Sequence, residues 1–185
     1  MQRNYFFILI LFIIHNSFGQ KLGFKVSKSN DQKIVWNADR KLSWDDFKGK
    51  PTSFNERVVA MTSTEFIVQT KTNSRNHKVE VLIENIFICN ESWVRNDKKN
   101  IEGLLGHEQG HFDLNEVYAR KLRIKITTDI TIESVEKFIQ EAYQLSNKSQ
   151  NLYDKETNHG IDKIKQKEWL NRISRELKEL ENFIQ

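Results

Sequence analysis

The chain carries a single cysteine, Cys89, so it cannot form an internal disulfide and must be held by packing, with or without a metal. It has one proline, Pro51, so no proline interrupts a helix anywhere in the second half. With only seven glycines in 185 residues it is neither collagen-like nor linker-like. No hydrophobic run is long, since the longest, residues 5–14, falls well short of the roughly 20 residues needed to span a bilayer. Neither sign of charge dominates: 29 Lys and Arg face 25 Asp and Glu, a formal net charge of +4. These charges are interspersed through the C-terminal third without aromatic interleaving, which argues against a nucleic-acid groove. What remains is an ordinary globular balance, 38% hydrophobic and 29% charged, long enough for one good core. Cys89 closes the apolar stretch Ile86, Phe87, Ile88 and reads as a buried, inert thiol.

The first residues differ from the rest. Arg3 precedes the apolar run, and Ser17 and Gly19 supply small residues at a cleavage site, which is the pattern of a signal peptide over residues 1–19. The expected mature chain is one domain, 20–185, starting at Gln20. It is secreted or periplasmic and has no stable membrane insertion after cleavage. No cysteine follows the run, so the usual lipoprotein attachment is excluded.

Past the leader the hydrophobic period is near two and then changes to about 3.6 at residue 101. Strands are expected at 33–36, 42–47, 57–70 and 78–89, with the polar segment 71–76 as a hairpin connection. Helices are expected at 101–126, 132–152 and 162–183. Asp129 or Thr131 is a candidate cap for the second helix and Asp162 for the third, with Gly160 closing the segment before it. Ile164, Trp169, Leu170, Ile173, Leu177 and Leu180 fall near one face of the third helix as a docking stripe. The fold class is α+β, a small antiparallel sheet followed by an active-site helix and two further helices.

His107-Glu108-Gln109-Gly110-His111 sets two imidazoles four residues apart, on adjacent turns of one helical face, where both can grip one ion. This H-E-x-x-H spacing is that of zinc (Zn2+) hydrolases, in which three protein ligands and a water complete the site. Glu108 then serves as the catalytic general base, taking a proton from water and passing it to the leaving amine. The longer H-E-x-x-H-x-x-G-x-x-H pattern fails, because Leu114 and Val117 stand at the Gly and final His positions. His15 lies in the leader and His77 upstream, so His159 is the downstream imidazole available as third metal ligand. Asp154 and the carboxylates Glu133, Glu136 and Glu141 compete for that place. Asp113 is a candidate to orient an imidazole, and Tyr153 or Tyr118 to donate to an oxyanion. Trp44 with Asp45 and Asp46 reads as packing and capping a turn.

Three segments carry a resemblance: Leu42-Ser43-Trp44-Asp45-Asp46-Phe47-Lys48-Gly49; His107-Glu108-Gln109-Gly110-His111-Phe112-Asp113-Leu114 with Tyr118-Ala119-Arg120-Lys121-Leu122; and Tyr153-Asp154-Lys155-Glu156-Thr157-Asn158-His159-Gly160. Together they span most of the mature chain, and on them it resembles a bacterial family of secreted zinc-dependent proteases long catalogued as a domain of unknown function. The resemblance implies a zincin-like α+β domain with His107, His111 and His159 as zinc ligands and Glu108 as catalytic base. The expected activity is metallopeptidase hydrolysis of a peptide or protein substrate. The alternative is a non-catalytic zinc-binding envelope protein that acts as a binding module.

Overall fold

The computed structural model describes residues 13–14, 30, 32–51, 58–72, 79–126 and 130–184. Apart from residues 13–14, the leader expected over 1–19 lies outside them, as do His77, most of the hairpin connection, and Asp129. Within the described residues the fold is α+β, a small sheet followed by three helices.

Strands β1 (Ile13–Ile14), β2 (Lys33–Val35), β4 (Thr64–Thr72) and β5 (Val79–Ile88) form one sheet in the order β1-β4-β5-β2. The short β1 pairs with β4 in parallel, and the other pairings are antiparallel. β4 and β5 make the long hairpin, with Thr64 opposite Phe87 and Thr72 opposite Val79. Between β2 and β4, β3 (Ala60–Met61) leaves the sheet to pair antiparallel with β6 (Trp93–Val94). The continuous strand expected over 57–70 is thus broken at Thr62 and Ser63. Ser63 donates its backbone N–H to Ser92 Oγ at 2.9 Å, and Thr62 turns to the helical layer.

The strand expected at 42–47 is instead a short 3-10 turn, Trp44–Asp46. Its acidic residue is used in capping: Asp46 accepts from Ser43 N at 2.7 Å and is held by two nitrogens of the Arg40 guanidinium at 2.7 and 3.0 Å. Those bonds hold its carboxylate below the usual range, against the opposing effect of burial. Trp44 packs edge-on against Phe47, which meets Phe87 in the core beneath, as its apolar size requires. Cys89 lies in the same core, and burial pushes its thiol pKa up.

Helix α1 (Leu104–Lys125) is the hub, and nearly every face of it is used. On one side Gln109 Oε1 accepts the Leu42 N–H at 2.7 Å, and Asp113 accepts from Trp36 Nε1 at 2.8 Å and from Gln109 Nε2 at 2.9 Å. On the sheet side Asn115 donates to Asn85 Oδ1 at 2.8 Å and accepts from Ser146 Oγ at 2.9 Å, a buried polar chain across three elements. Farther along, Glu116 accepts from Arg120 and Arg123 at 3.0 and 2.8 Å, and Arg123 reaches the Phe183 carbonyl at 3.0 Å, tying the C-terminus down. Ala119 and Leu122 pack with Phe66, Val68 and Ile83 of the sheet and with Val135, Ile139 and Ala142 of helix α2 (Ile132–Thr157).

Thr131 caps α2, its side chain accepting from Ser134 N, and Asp162 caps α3 (Lys163–Glu179) by accepting from Ile164 N and Lys165 N. Helix α2 runs five residues beyond the expected end at 152, so Tyr153, Asp154 and Thr157 sit on its last turns, not in a loop. Helix α3 docks Trp169 and Ile173 on Leu114, Val117 and Tyr153, which realises part of the stripe. Ile164, by contrast, is exposed at the helix start.

Asn115 supplies both partners of the buried polar chain, so Asn115→Leu leaves Asn85 and Ser146 each short of a hydrogen bond. At about 1–3 kcal/mol for each of the two stranded groups, unfolding free energy should fall by about 2–6 kcal/mol. Urea denaturation of the two proteins checks this, and a loss under about 0.5 kcal/mol, the range of neutral surface changes, contradicts it.

Candidate metal centre

His107 and His111 occupy one face of α1, and Asp154 meets them from the last turns of α2. Their facing atoms form a nearly equilateral triangle. His107 Nε2 lies 3.1 Å from His111 Nε2, and Asp154 Oδ1 lies 3.1 Å from the first and 3.0 Å from the second. Among the described residues these three are brought together as a group able to hold a metal ion. Donors about 2.0–2.2 Å from a common ion lie about 2.8–3.1 Å apart at a right angle and about 3.3–3.6 Å apart at the tetrahedral angle, so this donor set fits a divalent metal with at most a small widening of the triangle.

The surrounding hydrogen bonds fix the protonation of both rings. A backbone carbonyl can only accept, so Tyr153 Oη donates its proton to the His107 carbonyl, at 3.2 Å. The phenol oxygen must then accept from Gln166 Nε2, at 2.6 Å. That orientation turns Gln166 Oε1 to His107 Nδ1 at 3.0 Å, so Nδ1 carries the proton and Nε2 presents its lone pair to the triangle. The second ring repeats the logic: Gln150 Nε2 donates to the His111 carbonyl at 2.9 Å, which turns its Oε1 to His111 Nδ1 at 2.6 Å. Two imidazole lone pairs and a carboxylate oxygen therefore converge on one point. Such a convergence needs a cation or a shared proton to relieve it.

In the metal-free protein the proton serves. Burial works to lower the His111 pKa, but the Asp154 carboxylate outweighs it and pushes it up to about 9. Burial likewise works against ionised Asp154, yet His111, His107 and His159 hold its carboxylate far below the ordinary range.

Tyr153 is the plate on which both rings rest. It is fully buried, stacks on His107 at 4.6 Å between centroids, and meets His111 edge-on at 4.9 Å. Gly110 exists for this plate, because a Cβ there would overlap the Tyr153 hydroxyl and sit 2.9 Å from its ring carbon. With its hydroxyl committed to the His107 carbonyl, Tyr153 is a support for the rings and not an oxyanion donor. Tyr118 likewise packs on the core, beneath the Lys121 ammonium.

His159, the imidazole expected as third ligand, is not a member of the converging group, and Asp154 stands in that place. Asp154 precedes the end of α2 on the face turned to α1, whereas His159 follows the end in a left-handed turn. Asn158, His159 and Gly160 have φ of 48°, 55° and 79°. The turn lays the Gly160 backbone against His107, where a Cβ would come within 3.0 Å of the ring. It sets His159 Nδ1 3.4 Å from Asp154 Oδ1 on the outer side, with the His159 side chain 58% exposed against 31% for Asp154. Thr157 braces the turn, donating to the Tyr153 carbonyl at 2.7 Å and accepting from Gly160 N at 3.2 Å.

Glu108 is buried beside the group, and its Oε2 accepts from Thr62 Oγ1 at 2.7 Å. Its charge is felt by His111 and His159. The other carboxylates considered as ligands lie elsewhere. Glu133 and Glu136 are exposed on the first turns of α2, and Glu141 pairs with Lys125 at 2.9 Å. Asp113 orients no imidazole, being spent on Trp36, Gln109 and Lys41. Gln150, Gln166 and Thr62 carry no motif in the sequence. The one available signal is that Gln150 lies four residues before Asp154, on the same helical face.

Comparison of the chain with models of known protein families, with curated proteins and with solved structures gives no match.

A metal entering the triangle must displace the proton that His111 holds below about pH 9. Apparent affinity for a divalent metal should therefore climb by up to about tenfold per pH unit through the neutral range and level off above about 9, one proton being released. Titration calorimetry in two buffers of different ionisation enthalpy reads both quantities. Affinity that does not change between pH 6.5 and about 9 contradicts the arrangement.

Proposed function

We propose that the protein is a secreted, zinc-dependent peptidase with a zincin-like fold, in which His107, His111 and Asp154 hold the ion and Glu108 is the catalytic base. The observation that carries this reading is the convergence of two imidazole lone pairs and one carboxylate oxygen beside a second, buried carboxylate on the same helix. The H-E-x-x-H spacing and the family resemblance of the three segments support it.

A bound divalent ion would polarise a substrate carbonyl and make water a better nucleophile. The remaining chemistry belongs to the chain. Glu108 is directed by Thr62, which occupies one carboxylate oxygen and leaves the other to take a proton from the attacking water. The same carboxylate then returns that proton to the departing amide nitrogen, so the C–N bond breaks with a neutral amine as leaving group. His159, 3.4 Å from Asp154 and the more exposed of the two at 58% against 31%, is the side chain more open to an approaching substrate. The two-His, one-carboxylate donor set also suits ferrous iron. Glu108, a base within the motif that coordination does not use, favours hydrolysis.

Glu108→Gln should keep the metal and the fold while lowering peptide hydrolysis at least about 10²-fold, because the amide cannot accept the proton. Asp154→Ala should lose the metal, and His159→Ala should retain it. Turnover of a quenched peptide library, with zinc and iron content measured on each variant, checks all three. Full activity in Glu108→Gln removes the assigned base. A zinc-loaded wild type with no turnover on a broad library makes the protein a zinc-binding module.

A further inference from the structure

The two glutamines beneath the histidines belong to neither the motif nor the converging group, yet each is the residue that determines which nitrogen of its imidazole faces the triangle. Gln150 and Gln166 are buried, at 8% and 6% exposure, on two different helices. Each is clamped at both ends. Gln150 donates to the His111 carbonyl while its Oε1 receives His111 Nδ1, and Gln166 donates to Tyr153 Oη while its Oε1 receives His107 Nδ1. A buried amide that is free at one end can flip and offer NH2 in place of oxygen. Gln150 cannot flip without setting its oxygen against the His111 carbonyl, and Gln166 cannot flip without drawing the Tyr153 hydroxyl proton away from the His107 carbonyl.

We propose that Gln150 and Gln166 are positioning residues that set the metal affinity of the centre, keeping the proton of each ring on Nδ1 so that Nε2 is the nitrogen aimed at the ion. The proposal rests on the metal reading above and is independent of whether the centre hydrolyses peptides. Its physical content is an energy difference between ring states. Without the acceptor at Nδ1 a neutral imidazole is free to take the Nε2–H tautomer and to rotate about its side-chain bonds, and metal binding must reverse both changes. The partners are neutral amides and not carboxylates, so they fix the tautomer without adding a further negative charge near Asp154 and Glu108.

The test is zinc affinity of the full chain, measured by competition with a chromogenic chelator. Gln150→Leu and Gln166→Leu should each weaken zinc about 10- to 100-fold, the usual effect of removing a ligand's hydrogen-bond partner. Gln150→Glu and Gln166→Glu, which keep an acceptor at Nδ1 while adding a charge and losing the donor at the other end, should bind zinc more tightly than the leucine variants. Should a leucine variant fail to fold, Gln150→Asn and Gln166→Asn withdraw the same oxygen by one methylene and should show the same weakening. A merely structural role would lower metal-free thermal stability in the Leu, Asn and Glu variants alike and leave zinc affinity and the ligand-ring 15N shifts unmoved. Wild-type zinc affinity in folded Leu or Asn variants overturns the proposal. A wild type that takes up no zinc overturns the metal reading and the proposal with it, whereas zinc binding without peptide turnover overturns the peptidase reading alone.

Discussion

The centre depends on a hydrogen-bond relay that begins at two backbone carbonyls. The carbonyls of His107 and His111 can only accept, and that constraint passes through Tyr153 and Gln166 in one case and through Gln150 in the other. It ends by placing a proton on each Nδ1 and a lone pair on each Nε2. The helix that carries the two imidazoles thus also determines which nitrogen of each faces the triangle. Asp154 adds the third donor, and three electron-rich atoms about 3 Å apart become tolerable through a cation or through the proton that lifts His111.

The rest of the fold serves that geometry. Helix α1 is fixed on its outer side by Gln109 and Asp113 to the segment containing Trp36 and Leu42, and on its inner side by Asn115 to β5 and α2. Helix α2 supplies Gln150, Tyr153 and Asp154 from one face across its last turns, and α3 supplies Gln166 from behind. The glycines make these approaches possible: Gly110 admits the Tyr153 ring, and Gly160 admits the backbone that covers His107. The break after β3 brings the Thr62 hydroxyl to Glu108.

Much of this was legible in the sequence. The change of period at residue 101, the absence of proline beyond it and the H-E-x-x-H spacing place the helical half and the two imidazoles. The order of strands before helices gives the class. Less legible was anything decided by tertiary partners. Residues 42–47 mix apolar and acidic residues and read both as a strand and, at Trp44 to Asp46, as a capped turn; Arg40 and Ser43 hold Asp46 in the turn. The polar run from Tyr153 to Gly160 resembles a loop, yet its first five residues continue α2, because Tyr153 and Thr157 are buried against α1 and their own turn. That one difference puts Asp154, and not His159, in the converging group. On a loop His159 has the reach, whereas on a helix Asp154 has the facing position. Glutamine has no chemical signature in a ligand motif, so the residues that orient the rings became visible only with their partners.

The central claim is that His107, His111 and Asp154 share one metal ion through Nε2, Nε2 and Oδ1. Anomalous diffraction from crystals of the zinc-loaded protein, collected on both sides of the zinc edge, tests it most directly. The expected result is a single strong peak about 2.0–2.2 Å from each of those three atoms, with both Nδ1 atoms still on Gln150 and Gln166. No zinc at that point, or zinc bound through His159 with Asp154 turned away, would contradict it.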